Sequence, residues 1–398
     1  MSAGSEPAPV PETTILPVIL AIAGGHFLND LMQSLIPAAY PLLKENLTLS
    51  FTQIGVITLV FQGMASILQP LVGLYTDKRP LPYALSAGMA STGIGLVLLA
   101  RADSFEAVLL SVALIGLGSS IFHPEASRIA RLAAGMRPGF AQSLFQVGGN
   151  TGTAFGPLAA AFIVLQRGQV SIEWFAGAAM VGMVLLWMVG RWYKSVGAGR
   201  ALARKSRAHA AEKLPARTVR IGMILLIILV MSKFIYSVSY SSYYTFYLMD
   251  RFGLGIGEAQ FCLFIFLAAV AGGTLIGGPI GDRIGRRRVI LWSIFGILPI
   301  TLILPWLPLV PTIILAAVAG LILASAFPAM IVYAQDLMPL NTGMVAGLMF
   351  GIAFGIAAMG AAGLGFLADA VGIVTVYKIC AFLPALGFVA LFLPEPRL

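Results

Sequence analysis

A chain of 398 residues that is 59% hydrophobic and only 10% charged, with a mean hydropathy of +0.93, carries more apolar surface than a water-soluble fold of that length can hide. Its formal charge of +9 suggests nucleic acid only until the basic residues are mapped: they sit in the breaks between apolar runs, so no nucleic-acid partner is expected. Cys262 and Cys380 both lie inside apolar stretches, which argues against a disulfide framework or a zinc site, and neither a metal nor a cofactor is expected.

Lipid is therefore the solvent, and the expected fold class is an all-α membrane protein. Residues 1–14 are acidic and proline-rich without the basic start of a secretory signal, and read as a disordered cytoplasmic tail. With roughly 20 apolar residues per crossing, the next breaks define six spans, at 15–43, 51–75, 82–101, 105–133, 139–166 and 172–192. A polar stretch at 193–218 follows and reads as a cytoplasmic linker near anionic lipid. Six more spans are expected at 219–249, 257–281, 288–306, 309–335, 342–369 and 373–393. If the amino terminus is cytoplasmic, 19 of the 25 lysines and arginines fall on the cytoplasmic side, so both termini are placed there.

The two halves, 15–192 and 219–398, repeat each other. Asp77 and Asp282, Gly73 and Gly278, and Leu49 and Leu254 are each 205 positions apart; Pro124 and Pro328, and Gly139 and Gly343, are 204 apart. Each pair falls in corresponding places of the two halves, which predicts 12 transmembrane helices in two pseudo-symmetric six-helix bundles, with a solute site between them near the midplane.

Polar side chains at membrane depth are costly and mark candidate sites. The first helix carries His26, Asn29, Asp30 and Gln33, spaced to share one broad face. Asp30 beside His26 suits proton coupling, because a desolvated carboxylate with a neighbouring imidazole can alternate between charged and neutral forms; a purely structural acid is the alternative. After the second helix, GLYTDKRPLPYAL places Asp77 and Lys78 at a helix end. The fourth helix supplies His123, Pro124, Glu125 and Arg128, where Glu125 and Arg128 can neutralise each other at i,i+3. His123 and Glu125 join the candidate proton carriers, although a structural ion pair and a packed histidine account for the same residues.

On the fifth helix Gln142, Gln146 and Asn150 form one polar stripe, followed by a small-residue seam at Gly152 and Gly156 and by Pro157. The seventh helix supplies Lys233 and then Tyr236, Tyr240, Tyr243 and Tyr247 at helical spacing. By the repeat, Lys233 should lie across from the polar face of the first helix, where it could pair with Asp30 or an anionic substrate. Asn29, Arg128, Gln146, Asn150, Lys233, Tyr236 and Tyr240 are the expected substrate-binding set; a tyrosine stripe is also what a packed face would show. Between the eighth and ninth helices, GGPIGDRIGRRR places Asp282, Arg283, Arg286 and Arg287 where a carboxylate could hold arginines that separate when the bundles rock. These four, with Asp77 and Lys78, are the expected gate.

That loop resembles the signature of the major facilitator superfamily, and its first-half counterpart keeps Gly73, Asp77 and Lys78 but lacks the following glycine and basic pair. That departure predicts a weaker gate. The fifth-helix seam is similar to that of the superfamily's drug antiporters, with Ala160 and Ala161 where glycines are usual. The stretches HFLNDLMQSLIPAAYPLLKENLTLSFTQIGVITLVFQ, IGLGSSIFHPEASRIARLA and AQSLFQVGGNTG extend the resemblance to the superfamily's bacterial drug exporters, most closely over residues 20–165. It implies proton-driven efflux of an anionic, phosphonate-type drug across the bacterial inner membrane; a monomer is the default expectation. Uptake of an organic anion or sugar is the alternative direction. No catalytic arrangement of the G-x-S-x-G or HExxH kind is present, so an enzyme is not expected.

Overall fold

The computed structural model describes residues 13–49, 51–197, 199–203 and 214–394. Most of the expected tail and the central part of the expected linker, 204–213, lie outside the described residues. Twelve helical spans follow one another: α1 (Leu16–Asn46), α2 (Phe51–Lys78), α3 (Ala84–Ala100), α4 (Phe105–Ala133), α5 (Pro138–Ala159), α6 (Phe175–Trp192), α7 (Ala216–Phe252), α8 (Ile256–Ile284), α9 (Arg286–Ile303), α10 (Leu309–Leu337), α11 (Thr342–Val371) and α12 (Ile373–Cys380). No strand occurs among the described residues.

Ten of the spans are long and apolar enough to cross a bilayer by composition alone. The other two are α3, with 17 residues, and α5, whose glycines, glutamines and asparagine lower its hydropathy. Sequence limits and observed limits differ where the helix changes type. One turn after Pro157, α5 opens into a π-turn at Ala160–Val164; α6 is entered through a 3₁₀ turn at Gln169–Trp174; α12 continues as 3₁₀ over Leu383–Phe392 around Pro384. A tight turn joins α7 to α8 at Gly253, whose φ of 67° suits glycine alone without strain.

Helices α1–α6 form one bundle and α7–α12 the other. Within the first, α1 lies directly on α5, because a Cβ on Gly148 would sit 2.1 Å from Ala23 O and one on Gly152 would sit 2.2 Å from Phe27 O. The small-residue seam of α5 thus has a packing role inside its own bundle. The starts of α1 and α7 and the ends of the even-numbered helices share one face, called here the linker face. Thr14 on the approach to α1 donates to Ala134 O just past α4, which fixes that common level.

The bundles meet through α2 against α11 and α5 against α8. A Cβ on Gly73 would lie 2.3 Å from Gly343 O, and one on Gly278 would lie 1.9 Å from Gly139 O. These four glycines are two of the repeat pairs seen in the sequence, so duplication places the same backbone-to-backbone contact on both sides of the pseudo-twofold axis.

Candidate transport site and gate

At mid-depth in the first bundle three side chains converge. The carboxylate of Asp30 (α1) lies 3.3 Å from Nε2 of His26, one helical turn away, and 3.6 Å from Nε2 of His123 on α4. Asn29 Nδ2 donates to Asp30 Oδ1 at 3.0 Å. Both imidazoles are held from behind: Nδ1 of His26 is 2.7 Å from Phe145 O, and Nδ1 of His123 is 3.0 Å from Ser119 O. Because a carbonyl oxygen only accepts, each Nδ1 carries the hydrogen, and each Nε2 turns either a lone pair or a second N–H toward Asp30. Two lone pairs facing one carboxylate would repel it. The arrangement therefore calls for a cation.

Local sequence builds this geometry. Pro124 removes one backbone donor from the middle of α4, and the His123 ring donates into the turn just before it. Gly149 lets α5 pass close by, since a Cβ there would lie 2.4 Å from the His26 ring and 2.8 Å from Asp30 Oδ2. Phe145 stacks on His26 with ring centres 4.1 Å apart, while Phe350 and Phe354 of α11 pack on His123 from the second bundle. The triad is thus flanked by both bundles. Asn150 on α5 reaches across to Thr274 on α8 at 3.1 Å, and Gln146, one turn before it, has a buried carbonyl oxygen without a partner.

Other expected site residues lie elsewhere. Glu125 and Arg128 form a buried two-point ion pair (3.0 and 2.6 Å), and Arg128 also donates to the Tyr193 hydroxyl at 3.0 Å. They belong to the linker face, where Arg128 approaches Gly343, rather than to the mid-depth site. Lys233 does not meet Asp30: its Nζ donates to Ser293 Oγ on α9 at 2.9 Å, and it lines a small space within the second bundle with Ser232, Tyr236 and Ile297. Tyr236 and Tyr240 bond through their hydroxyls at 3.0 Å, and Tyr240 stacks on Phe266 in a buried aromatic cluster with Tyr244, Tyr247 and Tyr377. The physical reason is helix rotation: α7 is apolar nearly all round, so nothing in its periodicity said which way Lys233 and the tyrosines point.

The residues expected to form a gate lie on the linker face. Asp77, ending α2, accepts the amides of Gly343 and Met344 at the start of α11, at 3.1 and 2.9 Å. Asp282, near the end of α8, accepts those of Gly139 and Phe140 at the start of α5, both at 2.9 Å. Each carboxylate caps a helix amino terminus of the opposite bundle, an interaction strengthened by the helix dipole. The expected weaker first-half gate is not visible in these bonds, which match at the two sites. Arginine pairing falls instead to Asp336 at the end of α10. Its carboxylate is paired with Arg131 of the first bundle and, at 2.5 Å, with Arg286 of the second, which also lies 3.8 Å from Asp282. Lys78 and Arg283 are exposed, and Arg287 donates to Leu391 O. Gln335 Nε2 donates across to Ser127 Oγ, and the Gly278 amide donates to Ser143 Oγ.

Asp336 was missed from the sequence, although a signal existed: it stands 205 positions after Arg131, the offset that relates Asp77 to Asp282.

The sequence model described as Major Facilitator Superfamily matches residues 22–349 and 225–398. The "Fosmidomycin resistance protein" of Escherichia coli (strain K12) is 52% identical over 395 residues, covering 99% of this chain and 97% of its own. The "Uncharacterized MFS-type transporter YfnC" of Bacillus subtilis (strain 168) is 42% identical over 97% of this chain and 95% of its own. Among solved structures, the superfamily transporter FucP in the outward conformation aligns with a TM-score of 0.74 over 96% of this chain and 99% of its own; at 16% identity this likeness shows the fold.

Proposed function

This chain belongs to the major facilitator superfamily and is a multi-pass membrane transporter rather than an enzyme, and from that premise we propose that it exports small organic anions, fosmidomycin-like phosphonates among them, by proton-coupled alternating access. The substrate class is suggested by the 52% identical relative named for fosmidomycin resistance. The observation that carries proton coupling is the position of Asp30 between two imidazole Nε2 atoms. Both histidines have spent their Nδ1 hydrogens on carbonyls, so the group changes charge only where Asp30, His26 and His123 face one another.

The excess of lysine and arginine assigned to the linker face supports a cytoplasmic placement of that face, with both termini on the cytoplasmic side of the bacterial inner membrane. A linker face sealed by Asp77, Asp282 and Asp336 then corresponds to the outward-facing form. Protons enter the triad from outside; rocking of the bundles breaks the three clamps and offers the same site to cytoplasmic substrate. Gln146 and Asn150 lie where the bundles meet and supply neutral hydrogen-bonding groups to a solute there. Glu125 and Arg128 act at the gate on this reading, and a single chain contains the whole site.

Charge favours a second reading. A protonated triad is the natural partner of an anion, and binding both together is the arrangement for uptake of an organic anion or sugar. Replacing Asp30→Asn tests the shared premise: gradient-driven flux in vesicles should vanish while substrate exchange without a gradient persists. Full gradient-driven flux in that variant would remove Asp30 from the mechanism.

A further inference from the structure

Among the described residues, His26, Asp30 and His123 are the one group of three metal-capable side chains whose ligand atoms all lie within 4.8 Å of one another. Nothing in their sequence spacing announced it, because two ligands come from one turn of α1 and the third from α4, almost a hundred residues later. Both Nε2 atoms are buried, on side chains only 3% and 1% exposed, and both aim at the same carboxylate, at 3.3 and 3.6 Å.

The outer contacts are those of metal-bound histidine. A ligating imidazole generally gives its other N–H to a carbonyl or carboxylate, which fixes the tautomer and turns the lone pair toward the ion. His26 does this at Phe145 O, 2.7 Å away, and His123 at Ser119 O, 3.0 Å away. Gly149 leaves the space beside the group clear, since a Cβ would intrude to 2.4 Å from the His26 ring. Two nitrogens and one carboxylate oxygen suit zinc, cobalt, nickel or copper and discriminate against calcium and magnesium, which take all-oxygen shells. Three protein ligands also leave a fourth position open.

We propose that His26, Asp30 and His123 form a three-ligand site for a divalent transition-metal ion of the zinc class, with the fourth position open to water or to an oxygen of a carried anion. A bound ion ties α1 to α4 at mid-depth and fills the place a coupled proton would take. This goes beyond the transport reading: an ion held there competes with the coupled proton for the same three side chains, and its binding is measured without gradient or substrate.

The test uses the full chain in detergent micelles, metal-stripped, with any polyhistidine tag removed and His209→Ala introduced so that the third histidine of the sequence cannot contribute. Calorimetric titration with Zn²⁺ should show one ion per chain, unmoved by millimolar Mg²⁺. Asp30→Asn and His123→Gln should each weaken it at least about tenfold. On the chain with both site histidines intact, which does not depend on the site variants folding, Cu²⁺ should show the spin-echo modulation of two coordinated imidazoles. Absence of stoichiometric Zn²⁺ binding, Zn²⁺ affinity unchanged in a folded His123→Gln chain, or a Cu²⁺ spectrum without imidazole coupling would each overturn the proposal.

Discussion

Arg131 and Asp336 stand 205 positions apart and touch. A residue and its repeat mate can meet only close to the pseudo-twofold axis, so this pair lies on that axis at the seam between the two bundles. Duplication gave the two positions the same environment, and opposite charges turn that symmetry into attraction. Arg286 completes the clamp from the second bundle, leaving Asp336 buried between two guanidinium groups.

Removing Asp336 should open the linker face. Breaking a buried ion pair costs about 3–5 kcal/mol because the partners remain uncompensated, enough to move an equilibrium more than roughly a hundredfold. In Asp336→Asn, spin labels on Arg137→Cys and Arg283→Cys, both exposed positions on that face, should shift from short to long distances. Unchanged distances would show that the helix-capping aspartates hold the face alone.

Adjacent glycines on α8 should fail differently. A Cβ on Gly278 meets the backbone of α5 across the bundles, at 1.9 Å from Gly139 O, whereas one on Gly277 meets Ser325 O inside the second bundle at 2.0 Å. Gly278→Ala should keep thermal stability near the parent while exposing the linker face to thiol reagents. Gly277→Ala should lower the melting temperature instead. Melting curves and labelling rates for the two proteins separate the cases.

Lys233 should be dispensable for transport. Its ammonium meets Ser293 within the second bundle, with no carboxylate in ion-pair range among the described residues, so Lys233→Met keeps the volume and removes a buried charge. Apolar replacement of buried charge is often neutral or stabilising. Flux within about twofold of the parent and an equal or higher melting temperature are expected; loss of flux with the fold intact would return Lys233 to the transport path.

His123 should matter more than its burial suggests. It brings α4 into ion-pair range of the Asp30 carboxylate, at 3.6 Å. His123→Gln can still donate a hydrogen bond but cannot carry a proton, so the pH dependence of flux should flatten while exchange without a gradient continues. A pH profile identical to the parent would leave His26 as the sole partner of Asp30.

What could be read from the sequence follows from what lipid enforces. Apolar runs gave twelve spans because backbone groups in a bilayer must bond within their own segment. The offset between Gly73 and Gly278, and between Gly139 and Gly343, anticipated contacts that the fold makes twice. The His26 and Asp30 contact was visible as an i,i+4 spacing. Direction within a bundle was not: Lys233 sits on a helix with apolar residues on every side, and its rotation is set by packing against α11 and the 3₁₀ continuation of α12. His123 meeting Asp30 is likewise a matter of how α1 lies on α4. Local change of helix type also escaped, as at the 3₁₀ end of α12 around Pro384.

The central claim is that proton movement through Asp30 drives an organic anion outward. Its most direct measurement is flux of a labelled phosphonate in proteoliposomes with uniformly oriented protein, under an imposed pH gradient, with internal pH recorded at the same time. The account predicts that phosphonate loaded on the linker-face side leaves faster when the opposite side is acidic, while protons move the other way. Phosphonate flux that ignores the gradient, or that runs in the same direction as the protons, would contradict it.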